Sequence, residues 1–383
     1  MKTTTSSSGL LKIGVDIRDL RLASTGTKTY LDELLKVFRT LHGSEINLVE
    51  FNSIWKPYWG HSKLGKGWEH IQFFIWKQIS LPLKTFFSGR DVLICTDYYV
   101  PLIKLKAKHL VVFHDALFFD HPEYYNPIWL KLFKAIALPA ARRADVVVAP
   151  SQFSKERLLL HEKSFEGKIK VVYQGRKTIN DNGEISANTR RLLDELGKQP
   201  YILHVGVLEK RKNLAFLIRV VHEIRKTHDI KLVLVGRPNP KIFNNSEKEI
   251  LDTIAELQMQ DHVVFAGYVP DGDLPALYKA ALVYAFPSIY EGFGIPILEA
   301  FHYQLPVAVA DNSCLKEIGG DGVTSFDPFG VENAKNTLLH LINSTAQRDR
   351  QIQAGNILSH SFSWVKSAKE IGKIAADAVL LQA

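Results

Sequence analysis

The sequence is poor in several features that mark large classes of protein. Its 383 residues include only two cysteines, Cys95 and Cys314, which lie far apart and argue against a disulfide framework. Lys, Arg or Pro interrupts every apolar run before it reaches the about 20 residues of a membrane span. The N-terminal stretch lacks the apolar segment of a signal peptide. These absences predict a globular protein in the reducing cytoplasm.

Short apolar runs alternate with amphipathic helical patterns along the whole chain. Continuous apolar strands between helices are typical of parallel sheets that are covered on both faces. The chain is therefore predicted to be α/β, with two Rossmann-like domains whose ligands meet loops at the carboxyl ends of the strands. No Gly-x-Gly-x-x-Gly follows the first strand of either half, which argues against a nicotinamide dinucleotide site. The predicted strands are residues 11–17, 46–51, 91–95, 109–115, 145–150, 168–175, 201–206, 230–236, 262–267, 282–288 and 306–311.

A polar, turn-rich segment at residues 176–200 separates the two sets of strands. We predict an N-terminal domain at residues 1–178, a linker at 179–198 and a C-terminal domain at 199–360. A single helix is predicted in the remaining residues, 361–383.

The segment YEGFGIPILEA, residues 290–300, combines a glycine-containing turn with the start of a helix. Gly292 and Gly294 allow the backbone to approach a ligand closely, and Pro296 suits the first turn of a helix. The free N–H groups of residues 293–297 lie at the positive end of the helix dipole, where they predict an anion site that fits a phosphate.

Two glutamates, Glu291 and Glu299, bracket this turn. They do not suit a phosphate because like charges repel, whereas carboxylates accept strong hydrogen bonds from the vicinal hydroxyls of sugars. A sugar on each side of a phosphate is the arrangement of a nucleotide sugar. For either glutamate alone, a helix-capping or surface role explains the pattern equally well.

A run of cations follows the first strand of the second half. The strand is predicted to end at Gly206, and Lys210, Arg211 and Lys212 precede a helix that begins near Asn213. A lysine or arginine at this place neutralises a departing diphosphate. The alternative interpretation is a solvated basic turn.

Two glutamates with seven residues between them around Gly-Phe-Gly-Ile-Pro, with G-x-L-x-x-R-K-N-L upstream, resemble the retaining nucleotide-sugar glycosyltransferases of family 4 (group 1). These enzymes have the GT-B fold, in which two Rossmann-like domains face each other across a cleft and a C-terminal helix crosses back to the N-terminal domain. HDALFFDHPEYY and VLEKRKNL look closest to the branch that contains bacterial mannosyltransferases of polysaccharide synthesis. The resemblance covers nearly the whole chain, and its further segments are residues 16–35, 111–125, 144–158, 170–175 and 267–281.

The resemblance implies a role for each matching position. Glu291 contacts the transferred sugar, Glu299 contacts the ribose hydroxyls, and His114 faces the sugar near the reacting carbon. Lys212, together with Arg211, binds the diphosphate. Five further donor-binding positions contribute backbone or loop contacts: Phe293, Gly294, Ile295, Gly26 and Thr27.

Gly206 also belongs to the implied donor-binding set. Many family members have arginine directly after this glycine, where the present chain has Val207. Either Arg211 compensates for that arginine, or the diphosphate is held less tightly.

The implied function is transfer of a hexose to a glycan or lipid-linked acceptor in bacterial polysaccharide or lipopolysaccharide synthesis. The first expected donor is GDP-mannose; the alternatives are a UDP-sugar donor or a sugar-nucleotide epimerase on the same fold. A phosphorylase and an inactive homologue that only binds partners are further rivals. No cofactor or metal is expected. The DGD at residues 271–273 mimics the Asp-x-Asp metal motif of the other glycosyltransferase fold, but it occupies a turn in which an aspartate is predicted to cap a helix.

The charge distribution suggests where the acceptor side lies. Residues 1–200 carry 30 basic and 20 acidic side chains, a balance of +10, whereas residues 201–383 carry 18 and 20, a balance of −2. Four of the six tryptophans lie in residues 51–90, among several lysines. This combination predicts peripheral binding of the N-terminal domain to anionic lipid at the inner face of the cytoplasmic membrane, with an ordinary core helix as the alternative. No nucleic-acid-binding motif is present, so no nucleic-acid partner is expected.

Overall fold

The computed structural model describes residues 9–22, 26–55, 63–179, 183–237 and 243–381, and it contains two six-stranded parallel sheets. Lys56 and Trp59 of the basic, tryptophan-rich segment lie outside the described residues. The first sheet has the strand order β2-β1-β3-β4-β5-β6, with the crossover between β1 and β3. Its strands are β1 (Leu11–Asp16), β2 (Ile46–Phe51), β3 (Val92–Cys95), β4 (Lys108–Val112), β5 (Val146–Ala149) and β6 (Ile169–Val171).

The second sheet has the order β12-β11-β10-β7-β8-β9 and is also parallel throughout. Eleven of the twelve strands coincide with predicted runs. The exception is β12, which the sequence did not predict because Thr324 and Ser325 interrupt its short apolar pattern. The strands are β7 (Tyr201–Val205), β8 (Lys231–Val235), β9 (Val263–Gly267), β10 (Val283–Phe286), β11 (Val307–Ala310) and β12 (Val323–Phe326).

Helices cover both sheets. In the first half they are α1 (Asp19–Leu22), α2 (Gly26–Leu41), α3 (Lys63–Ile75), α4 (Leu81–Phe87), α5 (Leu117–Asp120), α6 (Pro127–Leu132), α7 (Leu138–Arg142) and α8 (Gln152–His161). They continue as α9 (Ala187–Leu196), α10 (Leu214–Arg225), α11 (Glu247–Glu256), α12 (Leu274–Ala280), α13 (Ile295–His302), α14 (Leu315–Gly319), α15 (Val331–Asn343), α16 (Thr345–Ser359) and α17 (Trp364–Leu380). Short 3₁₀ turns lie at Pro122–Tyr124, Lys163–Phe165, Lys210–Lys212 and Gly320–Gly322.

Two π-helical segments join neighbouring helices without a break. Trp76–Ser80 connects α3 to α4, and Phe133–Ala137 connects α6 to α7. A proline normally interrupts a helix, but the π turn before Pro82 lets this residue occupy the first turn of α4. The helical stretch therefore continues to Phe87.

The predicted C-terminal helix is α17, and it packs on the first half. It contacts α2, β4 and β5, and Trp364, Ala368 and Ile371 are buried in the same core as residues of α2. The indole of Trp364 also donates to the carbonyl of Arg176 at 2.9 Å. The end of the chain thus returns from the second sheet to the first.

The predicted linker contains α9, whose Leu196 belongs to the core of the second half. Ser186 caps this helix and donates to the Asp273 carboxylate. Residues 187–196 are therefore associated with the second sheet, while the domain boundaries themselves stay a prediction. Among the described residues, no helix is both long and apolar enough to cross a membrane.

Candidate active site

The loop between β10 and α13 depends on two glycines. At Gly292 a Cβ would lie 1.8 Å from the carbonyl oxygen of His114, so a side chain has no room there. Gly294 has a φ of +102° and precedes α13, and its Cβ would lie 2.9 Å from Leu315. This loop, residues 290–294, is called the donor loop below. It brings the second half into direct contact with the His114 segment of the first half.

The donor loop carries Glu291 into a buried cluster of charges. Lys212 Nζ donates to Glu291 Oε1 at 2.6 Å, and Arg211 Nη1 lies 2.7 Å from Glu291 Oε2. Arg211 Nε also donates to Glu209 Oε2 at 2.7 Å. The cations reach this position because the 3₁₀ turn Lys210–Lys212 follows β7, and β7 lies beside β10 in the sheet.

The cluster fixes the ionisation of Glu291. Burial alone raises the pKa of this carboxyl, but Arg211 and Lys212 outweigh burial and lower it to about 2. Burial tends to lower the pKa of Arg211, and the carboxylates of Glu291 and Glu209 raise it above its ordinary value. Burial lowers the pKa of Lys212, and the Glu291 carboxylate opposes this effect. The site therefore pairs an ionised carboxylate with two basic side chains, and an anionic ligand would compete with Glu291 for them.

The predicted anion site at the start of α13 has fewer available backbone amides than the five residues 293–297 suggested. The amide of Ile297 donates to the carbonyl of Gly294 at 3.0 Å, and Pro296 has no N–H. The prediction is thus restricted to the amides of Phe293, Gly294 and Ile295. The ring of Phe293 is buried against Tyr173 and Phe362, so its side chain contributes packing.

Glu299 lies apart from the charged cluster. Its Oε2 accepts a hydrogen bond from the hydroxyl of Tyr278 at 2.8 Å. Burial raises the pKa of this carboxyl, while Tyr278 and the nearby Lys177 act in the opposite direction. The two glutamates of the motif are therefore in different environments, one paired with cations and the other with a phenol.

His114 follows β4 at the carboxyl edge of the first sheet. Its Nε2 lies 2.6 Å from the carbonyl oxygen of Thr96. Because a carbonyl only accepts, Nε2 carries the proton, and the neutral ring keeps a lone pair on Nδ1. Burial lowers the pKa of His114 to about 4, so the ring is neutral at pH 7.

The remaining predicted donor-binding positions, Gly206, Gly26 and Thr27, lie in two different parts of the structure. A Cβ at Gly206 would lie 3.4 Å from Lys212 Cε, so this glycine lines the charged cluster. Gly26 and Thr27 begin α2, and nothing lies within 4 Å of a Cβ placed on Gly26. One turn later, the Tyr30 ring meets the His114 ring edge-on at 5.1 Å. The start of α2 is thus on the His114 side, without joining the donor loop.

The aspartates of the DGD sequence make structural contacts. Asp271 pairs with Lys177 at 2.6 Å. Asp273 occupies the N-cap of α12, as predicted, but its carboxylate accepts from Ser186 and Thr189 rather than from α12. Asp273 therefore ties α9 to α12.

Among the described residues, one group, Asp16, Cys95 and Asp97, has the spacing of a metal site. The ammonium of Lys77 lies 2.6 Å from both carboxylates, so a cation already bridges them.

Sequence reasoning overlooked several contributors to the site. Glu209 directly precedes the basic run and was not assigned, although it pairs with Arg211. Asp115 follows His114 at the strand end, and burial raises its pKa to about 6 while Arg211 opposes this. The position after a strand was the only available signal for Asp115. Nothing in the sequence pointed to Tyr278 as the partner of Glu299.

Two family models match the chain in succession. The model for Glycosyltransferase Family 4 matches residues 36–178, and that for Glycosyl transferases group 1 matches residues 187–357. O-antigen chain mannosyltransferase B of Escherichia coli is 27% identical over 276 residues, which cover 70% of this chain and 69% of that protein. Two further relatives match over smaller parts of their length. The matched part is 44% of glycosyltransferase MJ1607 of Methanocaldococcus jannaschii and 62% of O-antigen chain mannosyltransferase RfbU of Salmonella typhimurium.

Solved structures show the same architecture. Sucrose-phosphate synthase from Thermosynechococcus elongatus matches with a TM-score of 0.73 at 17% identity, over 96% of this chain and 98% of that one. HepE from Anabaena, solved in complex with UDP and glucose, matches with a TM-score of 0.67 at 19% identity, over 95% and 98%. The predicted α/β fold with two Rossmann-like halves in the GT-B arrangement is confirmed.

Proposed function

Because the chain belongs to the group 1 glycosyltransferases of family 4, we propose that it transfers a hexose from a nucleotide sugar with retention of configuration. The observation that carries this proposal is the buried pairing of Glu291 with Lys212 and Arg211 beside the donor loop. The acceptor is a glycan or a lipid-linked saccharide of bacterial polysaccharide or lipopolysaccharide synthesis.

The diphosphate of the donor takes the place that Glu291 now holds on the two cations. Lys212 and Arg211 neutralise the charge that develops as the glycosyl bond breaks, and the amides of residues 293–295 bind the same phosphates. Glu291 is then free to accept a hydrogen bond from a hydroxyl of the transferred sugar. Glu299 binds the ribose hydroxyls, with its orientation fixed by Tyr278.

Transfer proceeds at the face of the sugar that the diphosphate leaves. The bond between the anomeric carbon and the phosphate oxygen breaks, the acceptor oxygen bonds to that carbon, and the departing phosphate takes the acceptor proton. His114 stays neutral through this step and offers the Nδ1 lone pair to a sugar hydroxyl near the reacting carbon.

GDP-mannose is the first choice of donor, supported by the similarity to an O-antigen mannosyltransferase. A UDP-sugar is the alternative, supported by the structural likeness to a protein that was solved with UDP and glucose. An epimerase on the same fold remains a rival, and it would convert the nucleotide sugar without any acceptor.

A thermal-unfolding titration with GDP-, UDP-, ADP- and dTDP-sugars and the free nucleotides tests the proposal. We expect GDP and GDP-mannose to raise the melting temperature, because ligand at a hundredfold excess over Kd adds about 2.7 kcal/mol to the stability. A shift with UDP-sugars alone would move the assignment to the alternative donor. No shift with any nucleotide would contradict the proposed function.

We further propose that the first half binds the surface of an anionic membrane, where a lipid-linked acceptor lies. The stretch from α3 to α4 exposes a row of large apolar side chains, and Phe87 is 80% exposed. The amide of Leu102 donates to Gln78, which attaches a second exposed apolar segment to the same surface. This surface, called the apolar face, comprises Trp68, Ile71, Phe74, Ile79, Leu83, Phe86, Phe87, Leu102, Ile103 and Leu105.

Charge complementarity favours lipid over an apolar protein as the occupant of the apolar face. Lys84 and Lys106 are exposed next to it, and the first half carries the excess of positive charge. Exposed aromatic residues beside lysines are typical of helices that lie in the interface of an anionic bilayer. The core-helix alternative accounts for the buried Trp76 and Leu81 but not for the exposed residues.

Replacing Phe86 and Phe87 together with serine should weaken co-sedimentation with phosphatidylglycerol-containing vesicles by about tenfold or more, because each ring loses apolar burial in the bilayer. The matched control is Phe329→Ser, since Phe329 is 73% exposed but lies in the second half. If the unaltered protein fails to bind these vesicles at modest salt, the membrane proposal is wrong.

A further inference from the structure

The donor loop is held by the first half of the chain on both sides of Glu291. The hydroxyl of Tyr290 donates to Asp120 Oδ2 at 2.7 Å. On the other side, the carbonyl oxygen of Gly292 accepts from Ser151 Oγ at 2.7 Å and Ser154 Oγ at 3.1 Å. Both serines are fully buried. The residues before and after Glu291 are thus fixed to the first half, although Glu291 itself pairs with cations of the second.

The N-terminus of α8 supplies most of these contacts. The amides of Gln152 and Phe153 donate to the carboxylate of Glu317, at 2.7 and 2.9 Å, and Ser151 Oγ accepts from the amide of Ser154. A carboxylate from the second half therefore satisfies the first turn of a helix in the first half, where the helix dipole favours it. The start of α8 meets the second half through Glu317 and through Gly292.

The acceptor of the Tyr290 hydrogen bond is anchored on the same helix. Asp120 pairs with Arg157 and with His161 Nε2, and both side chains belong to α8. Burial raises the pKa of Asp120, but Arg157, His161 and Tyr290 outweigh it and lower the pKa to about 2. Asp120 is therefore an ionised, oriented acceptor at neutral pH. Through Asp120 and the two serines, α8 fixes both neighbours of Glu291.

We propose that Tyr290, Asp120 and Ser154 are positioning residues, which hold the Glu291 carboxylate at the transferred sugar only when the two halves are in contact. This inference rests on the proposed glycosyl transfer. The cations, Glu299 and the amides that bind the nucleotide diphosphate all belong to the second half, so donor binding does not need these contacts. Turnover does need them.

The test compares Tyr290→Phe and Ser154→Ala with the unaltered protein. Each variant removes one hydroxyl that holds the donor loop, so we expect turnover to fall by about tenfold while the GDP affinity in calorimetry stays within about twofold. Tyr173→Phe is the matched control. It also removes a phenol hydroxyl that bridges the halves, at 3.0 Å from Glu317, but it keeps the ring that packs on Phe293 and removes no hydrogen bond to the donor loop. Its turnover should be unchanged.

A double-variant cycle separates positioning from general destabilisation. Asp120→Ala combined with Tyr290→Phe should lower turnover no further than Asp120→Ala alone, because the hydrogen bond that Tyr290→Phe removes is already absent. Additive losses would contradict the pairing. Equal losses of turnover and GDP affinity in Tyr290→Phe would also overturn the inference.

Hydrogen exchange keeps the inference testable if the proposed function fails. If the unaltered protein binds no nucleotide and transfers no sugar, the proposed function is wrong, but the contacts of the donor loop remain measurable. Amide exchange in a peptide covering residues 287–298 should be faster in Tyr290→Phe and Ser154→Ala than in the unaltered protein and in Tyr173→Phe. Unchanged exchange in both donor-loop variants would overturn the positioning role.

Discussion

Glu291→Gln is expected to lower turnover by at least about a hundredfold, a loss comparable to that of an electrostatic group that acts in the transition state. The affinity for nucleotide diphosphate should stay the same or increase. The reason is that Glu291 occupies Lys212 and Arg211 in the free protein, at 2.6 and 2.7 Å, and the diphosphate has to displace it. A neutral amide competes for the cations less strongly than a carboxylate.

The same substitution should destabilise the free protein. It leaves the buried Lys212 and the half-buried Arg211 without their main partner, and breaking a buried pair costs about 3–5 kcal/mol. GDP should restore part of this loss, because its phosphates supply the missing negative charge. Calorimetric titration and thermal unfolding with and without GDP measure both effects. Glu332→Gln is the control, because Glu332 is exposed and pairs with Lys335, outside the charged cluster's contacts. Unchanged turnover in Glu291→Gln would contradict the role of Glu291.

Lys212→Met is expected to weaken GDP binding by about a hundredfold, because it removes a charge-assisted hydrogen bond to the diphosphate inside a buried site. Lys212→Met should lower the stability of the protein less than Glu291→Gln does, since Arg211 still neutralises the Glu291 carboxylate. Turnover at saturating donor should also fall, because Lys212 stabilises the leaving group.

Lys210→Met is a closely matched control for this prediction. Lys210 lies in the same 3₁₀ turn and carries the same charge, but its side chain is exposed, whereas Lys212 is buried at 7% exposure. We expect its GDP affinity to equal that of the unaltered protein. Similar affinities in the two variants would show that the turn acts only through its overall charge.

Much of the fold and part of the site could be predicted because their signals are local in sequence. Buried parallel strands are continuous apolar runs, and eleven of twelve were found in this way. The donor loop and the run of cations after β7 are each a continuous segment of fewer than about a dozen residues. Adjacent strands of one sheet bring the two segments together. Glu209 was overlooked because its contact depends on Arg211 folding back along the turn.

The contacts between the two halves could not be predicted from the sequence. Tyr290 is 170 residues from Asp120, and Gly292 is 141 residues from Ser151. No periodicity or spacing connects residues so far apart, and a serine before a helix reads as an ordinary N-cap. The continuation of the helical stretch past Ser80 could not be predicted either, because proline normally ends a helix. The π turn that accommodates Pro82 has no sequence signature.

A crystal structure of the chain with GDP bound tests the central claim most directly. The account predicts that the phosphates contact Lys212 Nζ, Arg211 and the amides at the start of α13, with the ribose at Glu299 and the Glu291 carboxylate released from Lys212. A nucleotide bound elsewhere, with the pairing of Glu291 and Lys212 intact, would contradict it.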